Sequence, residues 1–454
     1  MTDAELIARY HGRVPRYTSY PTAPHFHPGI GAGIYAQWLA ELPADAAISL
    51  YIHIPFCDRL CLYCGCNTSV VRNDRPKRAY AVQLSRELDL LADLIGRRAT
   101  VTQVHWGGGT PTAMPGDCLA GIMDHVRKRF HLREDAEVAI EIDPTTLTRD
   151  CLDALRLMGV NRASLGVQDF DEAVQEAIGR HQSFEETEAA AVALRALGVT
   201  SLNLDLIYGL PYQTAESVAR TARQALALGA DRAAVFGYAH VPWMKKHQKL
   251  IPEAALPGAE ARLVQERMIR KVLEEEGGYV PVGLDHYASP GDAMAVAVRD
   301  KALHRNFQGY TTDATPVLLG LGASSIGALP QGYVQNATGV PAYEAAINEG
   351  QLPVARGVAL TSDDLLRRAV IERIMCDMEL DIPAIAIAMG ADPAPLLEDA
   401  APLIGFAADG LVEWDGARVT VTERGRPFVR NVAALFDVYL KQASAATPRH
   451  ASAV

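Results

Sequence analysis

Four cysteines stand close together in a chain that contains seven: Cys57, Cys61, Cys64 and Cys66. The first three follow a Cys-x3-Cys-x2-Cys spacing, which brings three thiolates to one short loop. Three thiolates suit a four-iron cluster that keeps one iron open for a ligand. Structural zinc takes four closed ligands, commonly as two separated pairs; that reading and a chance clustering stay open at this point. A disulfide knot is unexpected in a chain this long and otherwise poor in cysteine. Cys118, Cys151 and Cys376 are scattered and read as small buried residues.

The elements that would position this loop follow a rhythm. The apolar runs Ser49–Phe56, Gln103–Trp106, Val138–Ile142, Ala163–Val167, Leu202–Tyr208 and Ala233–Tyr238 alternate with helical segments. They are short, bounded by Gly or Pro and mostly not alternating, as expected of parallel strands covered on both faces. Leu84, Leu88, Leu91 and Ile95 mark the apolar stripe of a long helix between the first two. Strand–helix units in a row predict an α/β fold with right-handed crossovers, closing as a partial (β/α)6-type or complete barrel.

Barrel enzymes place chemistry at the C-terminal ends of strands, and the residues there are polar or glycine. The cysteine loop follows the first run and Gly107-Gly108-Gly109-Thr110-Pro111 the second. Glu141 and Asp143 end the third, Gln168 and Asp169 the fourth, and Tyr238 with His240 the sixth. Asp205 lies inside the apolar fifth run, where a carboxylate needs partners. Glycines let backbone approach a polar ligand and donate N–H groups to a carboxylate or phosphate, although three glycines also make a plain tight turn.

The chain divides into an arm (1–45), a β/α catalytic domain (46–355) and a mainly helical, winged-helix-like domain (356–454). In the arm, Pro15, Pro21, Pro24 and Pro28 break any long helix. Residues 245–261 read as a surface excursion. A helix follows, Ala259 to about Glu276, and then the apolar run Tyr279–Leu284. Thr361 starts a helix by capping. Val412–Trp414 and Arg418–Val421 flank Asp415-Gly416 as a hairpin, and Ala443–Val454 read as a frayed end.

The chain has 454 residues, 49% hydrophobic and 21% charged, an ordinary globular composition. A net charge of −11 argues against nucleic acid or an anionic membrane as partner. It therefore disfavours a DNA-binding role for the winged-helix-like end. No run is long enough for a membrane span, and the N-terminus lacks the apolar core of a signal peptide. A cytoplasmic protein with reduced thiols is expected.

Cys57-x3-Cys61-x2-Cys64, with Tyr63 before the last cysteine, resembles the radical S-adenosylmethionine enzymes. The Gly-Gly-Gly-Thr-Pro stretch is similar to their methionine-binding motif. Pro15-Arg-Tyr-Thr-Ser-Tyr-Pro-Thr22, Tyr51-Ile-His-Ile-Pro-Phe-Cys57 and His304-Arg-Asn-Phe-Gln-Gly-Tyr310 resemble, more narrowly, the oxygen-independent coproporphyrinogen III oxidases. So does the ending from Asp409-Gly410 to Arg430-Asn431. The resemblance spans nearly the whole chain. A related haem-carrier protein shares the cluster motif, but this chain has the N-terminal arm and Cys66 that the carrier is understood to lack.

The resemblance implies a [4Fe–4S] cluster on Cys57, Cys61 and Cys64, with Cys66 left over. It implies two S-adenosylmethionine molecules. Tyr51, Gly107, Glu141 and Ile326 would contact the first. Tyr63, Gly108, Gly109, Thr110, Gln168, Arg180, Asp205 and Ala239 would contact the second. The implied reaction converts two propionates of coproporphyrinogen III to vinyls. A 5′-deoxyadenosyl radical takes a β-hydrogen, and carbon dioxide and one electron leave. A reductase or flavodoxin-like electron donor and an electron acceptor, both unidentified, are implied partners, and the protein is expected to be a monomer. Four propionates need local positive charge despite the acidic whole. Arg16, His304 and Arg305 are the candidates, with Phe307 and Gln308 beside them.

Overall fold

Residues 1–43, 45–96 and 98–442 are described by the structure, a computed structural model. The expected frayed end Ala443–Val454 lies outside them. Six strands follow the chain as neighbours in one sheet: β1 (Ala47–Ile54), β2 (Thr100–Gly108), β3 (His131–Ile142), β4 (Arg162–Gln168), β5 (Ser201–Tyr208) and β6 (Arg232–Gly237). Every neighbouring pair is parallel, as crossover helices require. Six further strands extend this unit: β7 (Val280–Val282), β8 (His286–Ala288), β9 (Leu318–Leu321), β10 (Ile326–Leu329), β11 (Gly332–Asn336) and β12 (Val354–Ala359). The sheet order is β12-β11-β10-β9-β1-β2-β3-β4-β5-β6-β8-β7. β9 adds a parallel partner to β1, with Ser49 opposite Leu318. The edges beyond β6 and β9 are antiparallel. The outermost strands do not pair with each other, so the barrel is partial.

The helix Asp74–Ile95 shows how the outer layer forms. Asn73 caps its start by accepting from Arg75 N–H, and Gly96 ends it at φ +68°, a conformation that favours glycine. Its stripe Tyr80, Leu84, Leu88 and Leu91 is buried at 0–1% exposure. These residues join one continuous core with Ile48, Leu50 and Ile52 of β1 and Val101, Val104 and Trp106 of β2. Burial runs unbroken through stretches such as Arg232–Val235, as expected, but it alternates in Arg162–Gln168 and around Tyr51 and His105. Leu50, Ile52, Val104 and Trp106 are fully covered, while Tyr51, His105, Glu141 and Asp205 are only partly covered. Helices cover one face only. The other lines an interior of polar side chains, so period two returns.

The arm is more ordered than its prolines suggest. Helices Asp3–Tyr10 and Ala32–Ala40 lie outside the proline-rich stretch. A capping box between Thr2 and Glu5 starts the first. Leu6, Tyr10, Tyr17 and Tyr20 do not join the barrel core. They pack with Val370, Ile371, Ile374 and Phe428 of the C-terminal helices. That C-terminal part carries the expected hairpin Val412–Trp414/Arg418–Val421, and a third strand, Glu379–Asp381, pairs with it. Among the described residues no helix is long and apolar enough to cross a membrane.

Candidate active site

The cysteine loop leaves the C-terminal end of β1 and is pinched shut by a short parallel pairing of Phe56–Cys57 with Ser69–Val70. Leu62 and Tyr63 anchor it in a small apolar cluster with Val174, Ile178 and Tyr238. Residues 245–248 are not a free excursion, because they clamp this loop. His247 Nε2 donates to Cys64 O (2.7 Å), Gln248 Nε2 to Tyr63 O (2.8 Å) and Lys245 Nζ to Cys66 O (2.8 Å). Each sulfur has polar neighbours. Thr110 Oγ1 donates to Cys57 Sγ (3.4 Å), Arg180 Nη1 to Cys61 Sγ (3.5 Å) and Cys66 N–H to Cys64 Sγ (3.3 Å). The hydrogen bond from the Cys66 side chain, with Lys245 and His247 nearby, brings the Cys64 thiol down to about 6. Burial raises that of Cys57. Cys66 thus favours thiolate at its neighbour without being one of the first three.

A methyl group on Gly109 would lie 3.0 Å from Cys57 Sγ and 2.7 Å from Phe56 O, so backbone and sulfur meet there as only glycine allows. Among the described residues no three metal-binding side chains converge as they would around one ion; thiolates of a four-iron cluster sit on separate irons. The donor set, the glycine cradle and the buried Arg180 Nε, which has no protein partner, fit a cluster with an open iron and a charged ligand beside it.

The cavity over the loop is about 510 Å3. Its walls are the ends of β2 to β6. Glu141 accepts from Gly108 N–H (3.1 Å) and His105 Nε2 (3.2 Å). Burial would raise its pKa, but the His105 contact and the Gly108 N–H outweigh this and lower it. Asp205 accepts from Ser164 Oγ (3.0 Å) and Asn203 Nδ2 (2.8 Å). Here burial and then the Glu141 charge win, and its pKa rises. Two carboxylates in one cavity thus titrate apart. Gln168 sits at φ +68°, a strained backbone for a non-glycine residue at the rim. Arg180 is held by Gly166 O (2.8 Å) and Asp143 (3.2 Å).

A second cavity of about 460 Å3 adjoins the first, and Phe236 lines both. Five arginines face it: Arg13, Arg16, Arg262, Arg305 and Arg430. Burial, reinforced by the Arg16 charge, lowers Arg430 to about 10. Arg305 Nη1 and Arg262 Nε are buried without protein partners. Five arginines against two acids in the lining, Asp285 and Glu266, leave an excess of positive charge complementary to a polyanion.

The structure brings Cys57, Cys61, Cys64, Tyr63, Gly108, Gly109, Thr110, Glu141, Gln168, Arg180 and Asp205 together around the first cavity. Gly107 supports it from behind, since a Cβ there would meet Glu141 Oε1 at 2.6 Å. Tyr51 lies one layer below, bonded to His53 Nδ1 (3.1 Å) and against the His105 ring. Ala239 lines the arginine cavity instead. Ile326 packs against the cluster of Phe26, Tyr333 and Val358 and is not among the residues lining the cysteine cavity. Of the substrate candidates, Arg16 and Arg305 face the arginine cavity. His304 pairs with Glu372 (3.0 Å) in a neighbouring cleft shared with Phe307, and Gln308 lies over the barrel interior beside His105. Sequence reasoning passed over Arg13, Arg262, Arg430, His105 and Asn203. The period-two pattern of Asn203 with Asp205 and of His105 with Gly107 was a usable signal; the arginines come from separate segments and left none.

Comparison with known proteins agrees with this geometry. A profile of the Radical SAM superfamily matches residues 51–225, and one of the HemN C-terminal domain matches residues 360–428. The oxygen-independent coproporphyrinogen III oxidase of Bradyrhizobium diazoefficiens is 52% identical over 438 residues, covering 96% of this chain and 97% of its own. That of Paracoccus denitrificans is 45% identical, over 97% of both chains. Among solved structures, coproporphyrinogen III oxidase (HemN) from Escherichia coli, a radical SAM enzyme, superposes with a TM-score of 0.90. It is 40% identical over 97% of this chain and 99% of its own.

Proposed function

The chain belongs to the oxygen-independent coproporphyrinogen III oxidases of the radical SAM superfamily, and from that premise we propose that it decarboxylates two propionates of coproporphyrinogen III to vinyls, giving protoporphyrinogen IX. It is an oxidoreductase, and its superfamily implies a [4Fe–4S] cluster and S-adenosylmethionine. The observation that carries the substrate reading is the arginine-lined cavity meeting the cysteine cavity at Phe236.

Cys57, Cys61 and Cys64 would hold the cluster. Once bound, the cluster and S-adenosylmethionine supply one-electron chemistry strong enough to remove hydrogen from an unactivated carbon. The chain's own side chains bind and orient. Arg180 offers a carboxylate a buried guanidinium, and Glu141, kept ionised, accepts from an ammonium or ribose hydroxyls. The two acids on separate strands, Glu141 and Asp205, support a pair of S-adenosylmethionine molecules side by side. Arg16 and Arg305, joined by Arg13, Arg262 and Arg430, receive propionates, so that the reacting arm reaches past Phe236. Phe236 and Tyr238 present apolar surface at that junction, which keeps water out. Pro427 and Arg430 close the cavity from the C-terminal side. Seven free cysteines suit a reducing compartment such as the cytoplasm, and an external one-electron donor and an acceptor complete the stoichiometry.

The test is anaerobic reconstitution with iron and sulfide, followed by incubation with coproporphyrinogen III, S-adenosylmethionine and a reductant. Vinyl products and carbon dioxide are expected. Formation of 5′-deoxyadenosine with unchanged coproporphyrinogen III would refute the substrate reading.

A further inference from the structure

The arginine cavity also contains a carboxylate that, among the described residues, makes no direct ion pair with an arginine. Asp285 sits on the turn between β7 and β8 and is one of two acids in the lining, with Glu266. Its Oδ1 accepts from His286 Nδ1 at 2.7 Å. Among the described residues its Oδ2 has no hydrogen-bond partner, and the one ion-pair partner of the carboxylate is His286. The turn is held from several sides. Val235 N–H donates to Asp285 O (2.7 Å), Leu284 N–H to Tyr310 Oη (2.9 Å) and Arg426 Nη1 to Gly283 O. Gly283 is at φ +57°, and a Cβ there would lie 2.1 Å from the Tyr310 ring. His286 is fixed edge-on between Phe236 and Tyr310. Burial by itself would raise the Asp285 pKa; the bond and charge of His286, with Arg305 and Arg16, hold it at about 2. The cavity therefore presents one rigid, ionised acceptor, with cations around it.

A porphyrinogen has the complementary pattern. Its four pyrrole N–H groups all donate toward the centre of the ring, where it has no acceptor, and its carboxylates lie on the perimeter. We propose that Asp285 is the acceptor for the central pyrrole N–H groups, while the surrounding arginines take the propionates. This rests on the coproporphyrinogen reading above and assigns the macrocycle its own binding residue. Asp285 fixes the ring centre, and rotation about that centre presents different propionates to the junction at Phe236.

Charge makes the test decisive. Asp285→Asn makes the cavity more positive, so binding through propionates alone would tighten. Loss of the N–H acceptor weakens it. Reconstituted holoenzyme with S-adenosylmethionine and no reductant is titrated anaerobically with coproporphyrinogen III, with thermal unfolding checked in parallel. Asp285→Asn should weaken binding about tenfold or more, the scale of hydrogen bonds to a charged group. Unchanged or tighter binding overturns the proposal. A second measurement needs no variant. Coproporphyrin III, the oxidised planar relative, keeps all four carboxylates but only two central N–H groups. The wild-type protein should bind it several-fold more weakly than the porphyrinogen, and equal affinity overturns the proposal. A wild-type protein that neither binds nor converts coproporphyrinogen III overturns the functional reading itself, and the proposal with it.

Discussion

Replacing Arg305 by Met tests whether one side chain both holds the arm and binds substrate. Arg305 Nε donates to Tyr17 O and Nη2 to Arg16 O, both at 3.2 Å. The guanidinium lies 4.2 Å from the Tyr310 ring centroid, and Nη1 is buried with no protein partner. Met keeps much of the apolar stem and removes every polar contact. The two arm bonds are partly solvated, so each contributes about 1 kcal/mol, the ordinary net value and below that of a buried charged donor. The stacking over Tyr310 adds about 1 kcal/mol. A stability loss of about 3 kcal/mol follows, read as a shift of the urea midpoint at constant slope. Loss of one charge-assisted bond to a propionate adds about 1.5–3 kcal/mol to binding, or roughly 10- to 150-fold in affinity. Arg305→Lys separates the roles. It keeps a charge for the propionate but cannot reach both carbonyls, so it should lose stability while retaining more affinity. If Arg305→Met leaves both the urea midpoint and the coproporphyrinogen affinity unchanged, the assignment of this cavity is wrong.

Gly108→Ala should leave the fold in place and weaken S-adenosylmethionine binding. Gly108 is at φ +118°, and a Cβ would meet His53 at 2.6 Å and Ile54 O at 2.9 Å, so the turn must shift; an affinity within twofold of wild type, measured by calorimetry, would count against it. Glu87, buried on the helix Asp74–Ile95, accepts from Gly322 N–H, Asn336 and Tyr343 Oη, each at 2.7 Å. Burial nevertheless raises its pKa from 4.5 to about 7. The folded protein then keeps a proton that the unfolded chain releases above pH 4.5, so stability should fall by about 3 kcal/mol as pH rises from 4.5 to 7. Glu87→Gln should flatten that slope in urea titrations, and parallel curves for the two proteins would contradict the assignment. Cys61→Ser should abolish the brown colour of the reconstituted cluster and the activity together, whereas an active, colourless variant would exclude the proposed cluster ligation.

What could be read in advance was local. The loop Cys57–Cys66 lies within one turn of chain, and the glycines of Gly107–Gly109 are adjacent. The rim acids Glu141 and Asp205 each end or occupy a single apolar run. Such features survive in sequence because their geometry is set by neighbours a few residues away. The order of six parallel strands was legible for the same reason, since each strand–helix unit is a local pattern that right-handed crossovers assemble in one way. The rest of the polar face, His105 and Asn203 among it, is harder to read from sequence. Alternation in Tyr51-Ile52-His53 and Asn203-Leu204-Asp205 is visible, but its meaning depends on which face the helices cover.

The tertiary structure decided the rest. Tyr10, Tyr17 and Tyr20 belong to the core of helices that begin at Ser362, and no local pattern announces a contact across that separation. His247 and Gln248 became a clamp only when β6 carried them over the cysteine loop. The arginine cavity draws Arg13, Arg16, Arg262, Arg305 and Arg430 from well-separated stretches of an acidic chain, and it sets Asp285 among them. By itself the sequence determined which chemistry this protein carries, because thiolate spacing is a property of one loop. Where the five arginines gather beside that chemistry was decided only by the fold, because charge acts through space and the chain must be folded before those residues share any.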